Sequence, residues 1–162
     1  MKYIHYGSCA FDPLKWEPIR NAPMERSFTK PAGGLWASPV GAERGWADWC
    51  KREDINTEYL AESFEFKLSE SARVLNITSA EMVKALPLVL DDPVVNALRQ
   101  RAPNLFSKLS FYPIDFEQLS REYDVIAFQA SKFWHPNGVM PGWDCDCILV
   151  MNKEVICESE AE

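Results

Sequence analysis

An α+β domain with short helices and long loops is the fold class this chain predicts, on three observations. Segments of strictly alternating or continuous apolar character, at 63–68, 124–130 and 146–152, read as strands. Beside them stand brief stretches of helical spacing with capping residues, none long enough for a bundle. Eleven prolines against seven glycines in 162 residues punctuate the remainder, which argues against a coiled coil and for irregular connections. No repeat or linker interrupts the chain, so residues 1–157 read as one domain and 158–162 as an acidic tail.

The elements follow in order. Residues 2–6 (KYIHY) form a short strand, with Tyr3 and Tyr6 favouring extended backbone. Residues 8–33 carry Pro13, Pro18, Pro23 and Pro31 without periodicity, and an ordered loop of that length is more often functional than connective. Residues 34–38 make a second short strand, closed by Pro39. Trp46, Trp49 and Cys50 stand at i, i+3 and i+4 and predict a helix between 45 and 53. The strands 63–68 and 72–77, joined through Ser69-Glu70-Ser71, suggest a hairpin. Thr78 and Glu81 have capping-box spacing before a helix bearing Met82 and Leu86. Asp92-Pro93 opens a further helix through residue 101, and Asp115 with Gln118 opens another with Phe116, Leu119 and Tyr123 on one face. Strands 124–130 and 146–152 are the most apolar, and Val155-Ile156 adds a short partner.

Charge and composition exclude several functions. With 47% hydrophobic and 25% charged residues the chain can bury a core. A net charge of -7 argues against coating nucleic acid, which needs a basic footprint. That charge is uneven: residues 1–52 hold eight Lys/Arg against five Asp/Glu, and the remainder nine against nineteen. No apolar run approaches a membrane span, and Met1 leads directly into a strand-like segment, so a cytoplasmic protein without membrane attachment is expected. Five scattered cysteines argue against a disulfide framework. The sequence contains no GxSxG, P-loop, GxGxxG or HExxH pattern. Cys145 and Cys147, with His135 or Cys157, lack the paired spacing of a zinc site, so no metal is expected.

Three clusters remain as candidates for chemistry. His5-Tyr6-Gly7-Ser8 ends the first strand, with a glycine that permits close backbone approach. Gly33-Gly34-Leu35-Trp36-Ala37-Ser38 places two glycines before an aromatic, which would leave an open face where Trp36 could stack on a planar heterocycle. Gly142-Trp143-Asp144-Cys145-Asp146 puts two carboxylates at i and i+2 on one face, at the mouth of an apolar strand.

These clusters, in this order, resemble the H-Y-E branch of the ADP-ribosyltransferase superfamily, which contains diphtheria toxin and the poly(ADP-ribose) polymerases. His5-Tyr6-Gly7-Ser8 resembles the family's strand-one histidine motif, with Tyr6 inserted relative to a plain His-Gly pair. Residues 33–38 resemble its G-x-G-[IL]-Y-F-A segment, with Trp36 at the tyrosine position. Residues 46–50 resemble the following helix, and residues 146–150 its glutamate-led strand, with Asp146 in place of the glutamate.

The resemblance implies two small packed sheets with NAD, as co-substrate, in the cleft between them. It places His5 on the adenosine ribose, the Gly7 backbone on the nicotinamide carboxamide and Trp36 under the nicotinamide ring beside Ser38, and it counts Tyr6 and Gly34 among the NAD-binding residues. Asp146, with Asp144 as its rival, would stabilise an oxocarbenium-like ribose during transfer of ADP-ribose to a macromolecular acceptor, a protein or a nucleic acid. Two other functions stand beside it. One is a catalytically silent NAD or ADP-ribose binding module, which the aspartate favours; the other is an interaction protein acting through its acidic surface.

Overall fold

The computed structural model describes residues 1–22, 29–104, 113–133, 140 and 142–158. His135 and the tail beyond Glu158 lie outside the described residues. The architecture is α+β. Strands β1 (Lys2–Tyr6), β2 (Leu35–Pro39), β3 (Ser63–Leu68), β4 (Val74–Ile77), β5 (Val125–Phe128), β6 (Cys147–Val150) and β7 (Ile156–Glu158) form a mixed sheet in the order β4-β5-β6-β2-β1-β3-β7. Short helices α1 (Trp46–Glu53), α2 (Ala80–Lys84), α3 (Pro93–Arg101), α4 (Phe116–Glu122) and α5 (Ala130–Phe133) accompany it, with 3-10 turns at Pro13–Lys15, Thr57–Ala61 and Lys153–Val155. Among them no helix is long and apolar enough to cross a membrane.

The two most apolar strands sit together because each is buried on both faces. Ile126 and Phe128 of β5 and Leu149 of β6 pack with Ile77, Phe116 and Leu119 in one core. Val125, Ala127, Ile148 and Val150 point the other way, into a second core with Phe66 and Val155. A strand wetted on one face would alternate; these have no wet face and read as continuous apolar runs. In contrast, β3 has Phe66 fully buried between exposed or half-buried neighbours, as its alternation predicts.

Caps set the helix starts. The Asp92 carboxylate accepts from Val94 and Val95 N–H with Pro93 at the first helical position, and Asp115 accepts from Gln118 N–H at 2.9 Å. The start of α2 differs from expectation by one residue. Ser79, not Thr78, is the cap: its hydroxyl accepts from Met82 N–H at 3.3 Å, while Thr78 turns its hydroxyl toward the Met82 sulfur.

Two larger expectations also give way. The hairpin of β3 with β4 does not form; the two strands lie near opposite ends of the sheet, and β4 pairs parallel with β5. After β3 the Ser69 N–H donates to Val155 O, and Arg73 is then captured by Asp124, which accepts from its backbone N–H and its guanidinium. That clamp delivers β4 to a strand with no wet face, whose burial outweighs a local turn. The second change concerns the two sheets. Hydrogen bonding links all seven strands, because β2 serves both halves: Leu35, Trp36 and Ala37 pair with β6, whereas Ser38 and Pro39 pair with β1.

Candidate functional site

The division of labour along β2 opens the site. β1 and β2 are paired at Tyr3↔Pro39 and Ile4↔Ser38, and the ladder then stops. One step further the His5 ring bridges the gap instead, its Nδ1–H donating to Trp36 O at 2.7 Å. A carbonyl only accepts, so Nδ1 carries the proton and Nε2 of the neutral ring is left as an acceptor. Burial lowers the His5 pKa below the usual histidine value, and the carbonyl bond offsets this only in part.

A cleft of about 630 Å³ occupies the fork. It is within the size range of small-molecule sites. His5 and Tyr6 of the first cluster and Gly34, Trp36 and Ser38 of the second all line it. Trp36 is held from both sides of its edge and face: Trp143 meets it edge-on at 4.6 Å, and the Lys30 ammonium stands 5.4 Å from the ring centroid. Trp143 is itself immobilised, 2% exposed, packed on Phe116 and Phe128, with its indole N–H donating to Thr29 O. The Ser38 hydroxyl accepts from Trp46 N–H at 2.9 Å, which ties the wall of the cleft to the first residue of α1.

The glycines have a different role from the one expected. Gly33 and Gly34 have φ of +76° and +71°, and a Cβ on either would collide with backbone. The contact would be 2.2 Å from Pro18 O at Gly33 and 2.7 Å from Val150 O at Gly34. They let the 8–33 loop and β6 press against β2. Gly34 N–H donates to Glu17 O in that contact. Gly7, with φ +101°, directs its N–H to Glu62 O at 2.9 Å, so that donor is engaged within the protein. Gly7 is not among the residues lining the cleft.

The carboxylates lie elsewhere. Asp144 and Asp146 do share a side of the chain, but Cys145 and Cys147, on the opposite side, line the cleft. Asp146 accepts from Ser131 N–H and from Ser131 Oγ–H, both at 2.8 Å, at the start of α5. Asp144 is exposed and borders a smaller hollow with Arg44, Arg52 and Glu53. The acids that do line the cleft are Asp12 and Glu17. Cys157, considered above with Cys145 and Cys147, sits in β7, four strands from β6 or about 19 Å across the sheet. Among the described residues no cluster of three or more metal-ligating side chains occurs.

Several cleft residues escaped the sequence reading. Lys15, Lys30, Phe11, Trp16, Tyr59 and Phe64 contribute cations and rings to its walls. The length and proline content of the 8–33 loop were the available signal for the first four; nothing local marked Tyr59 or Phe64. Lys15 pairs with Asp12 at 3.8 Å, while Lys30 lies against Trp36. Lys30 also bears on the thiols. Hydrogen bonding from Cys147 and the Lys30 charge bring the Cys145 thiol below its ordinary pKa, against burial and the charges of Asp144 and Asp146. The deeply buried Cys147 is pushed well above it, chiefly by its bond to Cys145 and by desolvation.

Chemically, the cleft offers flat rings, two ammonium groups, a fixed imidazole acceptor and several hydroxyls, beside the carboxylates of Asp12 and Glu17. That set suits a planar heterocycle joined to an anionic, hydroxyl-bearing portion. Comparison with models of known families, with curated proteins and with solved structures finds no match in any of the three.

Proposed function

We propose that the chain is an NAD- or ADP-ribose-binding domain of the ADP-ribosyltransferase-like kind, with its ligand in the fork between β1 and β2. The observation that carries this reading is the convergence of His5, Tyr6, Gly34, Trp36 and Ser38 on one cleft of nucleotide size, with Lys30 over the Trp36 ring. These are five of the six residues the family resemblance assigns to NAD, Gly7 being the exception, and they come from segments about thirty residues apart. Within this reading the planar base lies against Trp36, the His5 Nε2 accepts from a ribose hydroxyl, and the diphosphate draws on Lys30 and Lys15. The five cysteines are free, in keeping with a reducing cytoplasmic setting.

Of the activities the sequence leaves open, binding without turnover is favoured. Transfer of ADP-ribose requires a carboxylate beside the nicotinamide ribose, where developing positive charge needs stabilising. Asp146 spends both carboxylate oxygens on Ser131, away from the residues lining the cleft. Transfer to a protein or nucleic-acid acceptor remains the second reading, supported by the position of Asp146 immediately before β6, and it requires Asp146 to exchange Ser131 for the ligand. The deciding experiment incubates the protein with NAD and follows thermal stability and free nicotinamide together. At a hundredfold excess over Kd, bound NAD should add about 2.7 kcal/mol of stability. Stabilisation without nicotinamide supports the silent binder; stabilisation with nicotinamide that disappears in Asp146→Asn supports the transferase. No stabilisation by NAD or ADP-ribose removes the proposal and leaves an interaction protein.

A further inference from the structure

We propose that Cys145 and Cys147 form an oxidant-sensitive thiol pair in the wall of the cleft, which hydrogen peroxide converts to an intrachain disulfide through a sulfenic acid on Cys145. The five cysteines are not equivalent. Cys9 and Cys157 are exposed, and Cys50 is fully buried and not among the residues lining the cleft. Cys145 and Cys147 alone among them line the cavity, through which a small oxidant can reach otherwise covered sulfurs. Both reach the cavity at the entry to β6, whereas Asp144 and Asp146 are not among its lining residues. Lys30 lines the same cavity and is the cation acting on the pair, and the neighbouring Cys147 thiol further lowers the Cys145 pKa. Asp144 and Asp146 are the opposing charges, and Cys50 is the neighbouring neutral thiol. The balance gives Cys145 a larger thiolate fraction than Cys147, and the thiolate is the species that attacks a peroxide.

The backbone permits ring closure. The β5–β6 ladder ends at Phe128↔Cys147, so Cys145 lies in a bend outside it. In a fully extended chain residues i and i+2 are about 6.7 Å apart at Cα, near the upper limit for a disulfide, and a bend shortens that span. The chemistry balances in two steps. The Cys145 thiolate attacks one peroxide oxygen and breaks the O–O bond, giving the sulfenic acid and hydroxide. The Cys147 sulfur then attacks the Cys145 sulfur, the S–O bond breaks, and the hydroxyl leaves as water with the Cys147 proton. Two thiols are oxidised by two electrons and one peroxide is reduced to two waters overall. None of this depends on what the cleft binds.

The test treats the reduced full chain with hydrogen peroxide, blocks remaining thiols with iodoacetamide, and maps peptides by mass spectrometry. The expected product is a peptide spanning both positions, lighter by two hydrogens, unalkylated, and restored by dithiothreitol. In Cys147→Ser, dimedone should label position 145; in Cys145→Ser, neither the disulfide nor a dimedone adduct at 147 should form. In reduced wild type near pH 7, Cys145 should be alkylated at least ~10-fold faster than Cys147. The proposal is overturned if both cysteines stay reduced under peroxide that oxidises Cys9, if Cys145 pairs with another cysteine, or if dimedone marks 147 rather than 145. The wild-type measurement stands even where a serine variant does not fold.

Discussion

Trp36→Ala is the sharpest probe of the cleft, because the ring's surroundings allow its contribution to ligand binding to be worked out in advance. The side chain is half-buried, its ring centroid 4.6 Å from that of the steeply inclined Trp143 ring and 5.4 Å from the Lys30 ammonium. A bound planar base would cover roughly one exposed face, about 50 Å², worth about 1.2 kcal/mol at about 25 cal/mol/Å². Stacking geometry adds about 0.5–1.5 kcal/mol beyond area. A loss of about 2 kcal/mol corresponds to an increase in Kd for NAD of about 30-fold. Isothermal titration calorimetry measures this, with circular dichroism to verify that the variant folds, since the Trp143 contact is lost as well. Trp36→Phe retains a flat ring and should stay within about fivefold of wild type. A folded Trp36→Ala protein that binds NAD with unchanged affinity would refute the placement of the base on this ring.

His5→Ala should raise the Kd for NAD, and wild-type affinity should be flat between pH 7 and 8, because burial keeps the ring neutral there. The same lowered pKa means that the fold loses His5-linked stability as pH falls below about 6.5, which denaturant titration of wild type against His5→Gln checks. Asp124 is held far below the usual carboxylate range, first by hydrogen bonding from Arg73 and also by Asn152, so its contribution is complete above about pH 3.9 and is lost on further acidification. Asp124→Ala should therefore lower Tm by roughly 6–12 °C at pH 7, for a clamp worth about 3 kcal/mol, with a much smaller difference from wild type at pH 2. Gly34→Ala should destabilise by about 2–4 kcal/mol, combining left-handed backbone with the collision at Val150 O. Gly41→Ala, at φ +76° with nothing within 4 Å, should cost only about 1 kcal/mol; equal losses at the two sites would show that crowding at Gly34 is absent.

Much of the candidate site was legible because its residues belong to short segments whose local pattern is distinctive. His5 at the end of an aromatic strand, and Trp36 after two glycines, needed only strand identity to be placed near one another once β1 and β2 paired. The glycines were recognised but their partner was not: close approach by Pro18 and Val150 cannot be read from residues 33 and 34. Trp143 belonged to a recognised cluster, yet its importance as the wedge behind Trp36 depends on Phe116, Phe128 and Thr29, all distant in sequence.

By itself the amino-acid sequence determined the α+β class, the extents of β1 and β3, and the starts of α3 and α4. The extent of β3 rests on side-chain alternation, that of β1 on the strand preference of its tyrosines, and the helix starts on a carboxylate bonding to amides two or three residues away, all of which act locally. Tertiary structure alone decided that β4 joins β5 rather than β3, and that Cys145 and Cys147, not Asp144 and Asp146, look into the cleft. Both outcomes turn on interactions between residues far apart in the chain. Arg73 reaches Asp124 across 51 positions, and Ser131 satisfies the Asp146 carboxylate across 15. Periodicity shows which residues share a side of a strand, but only the partners brought to that side determine whether it meets the core, the solvent or the cleft.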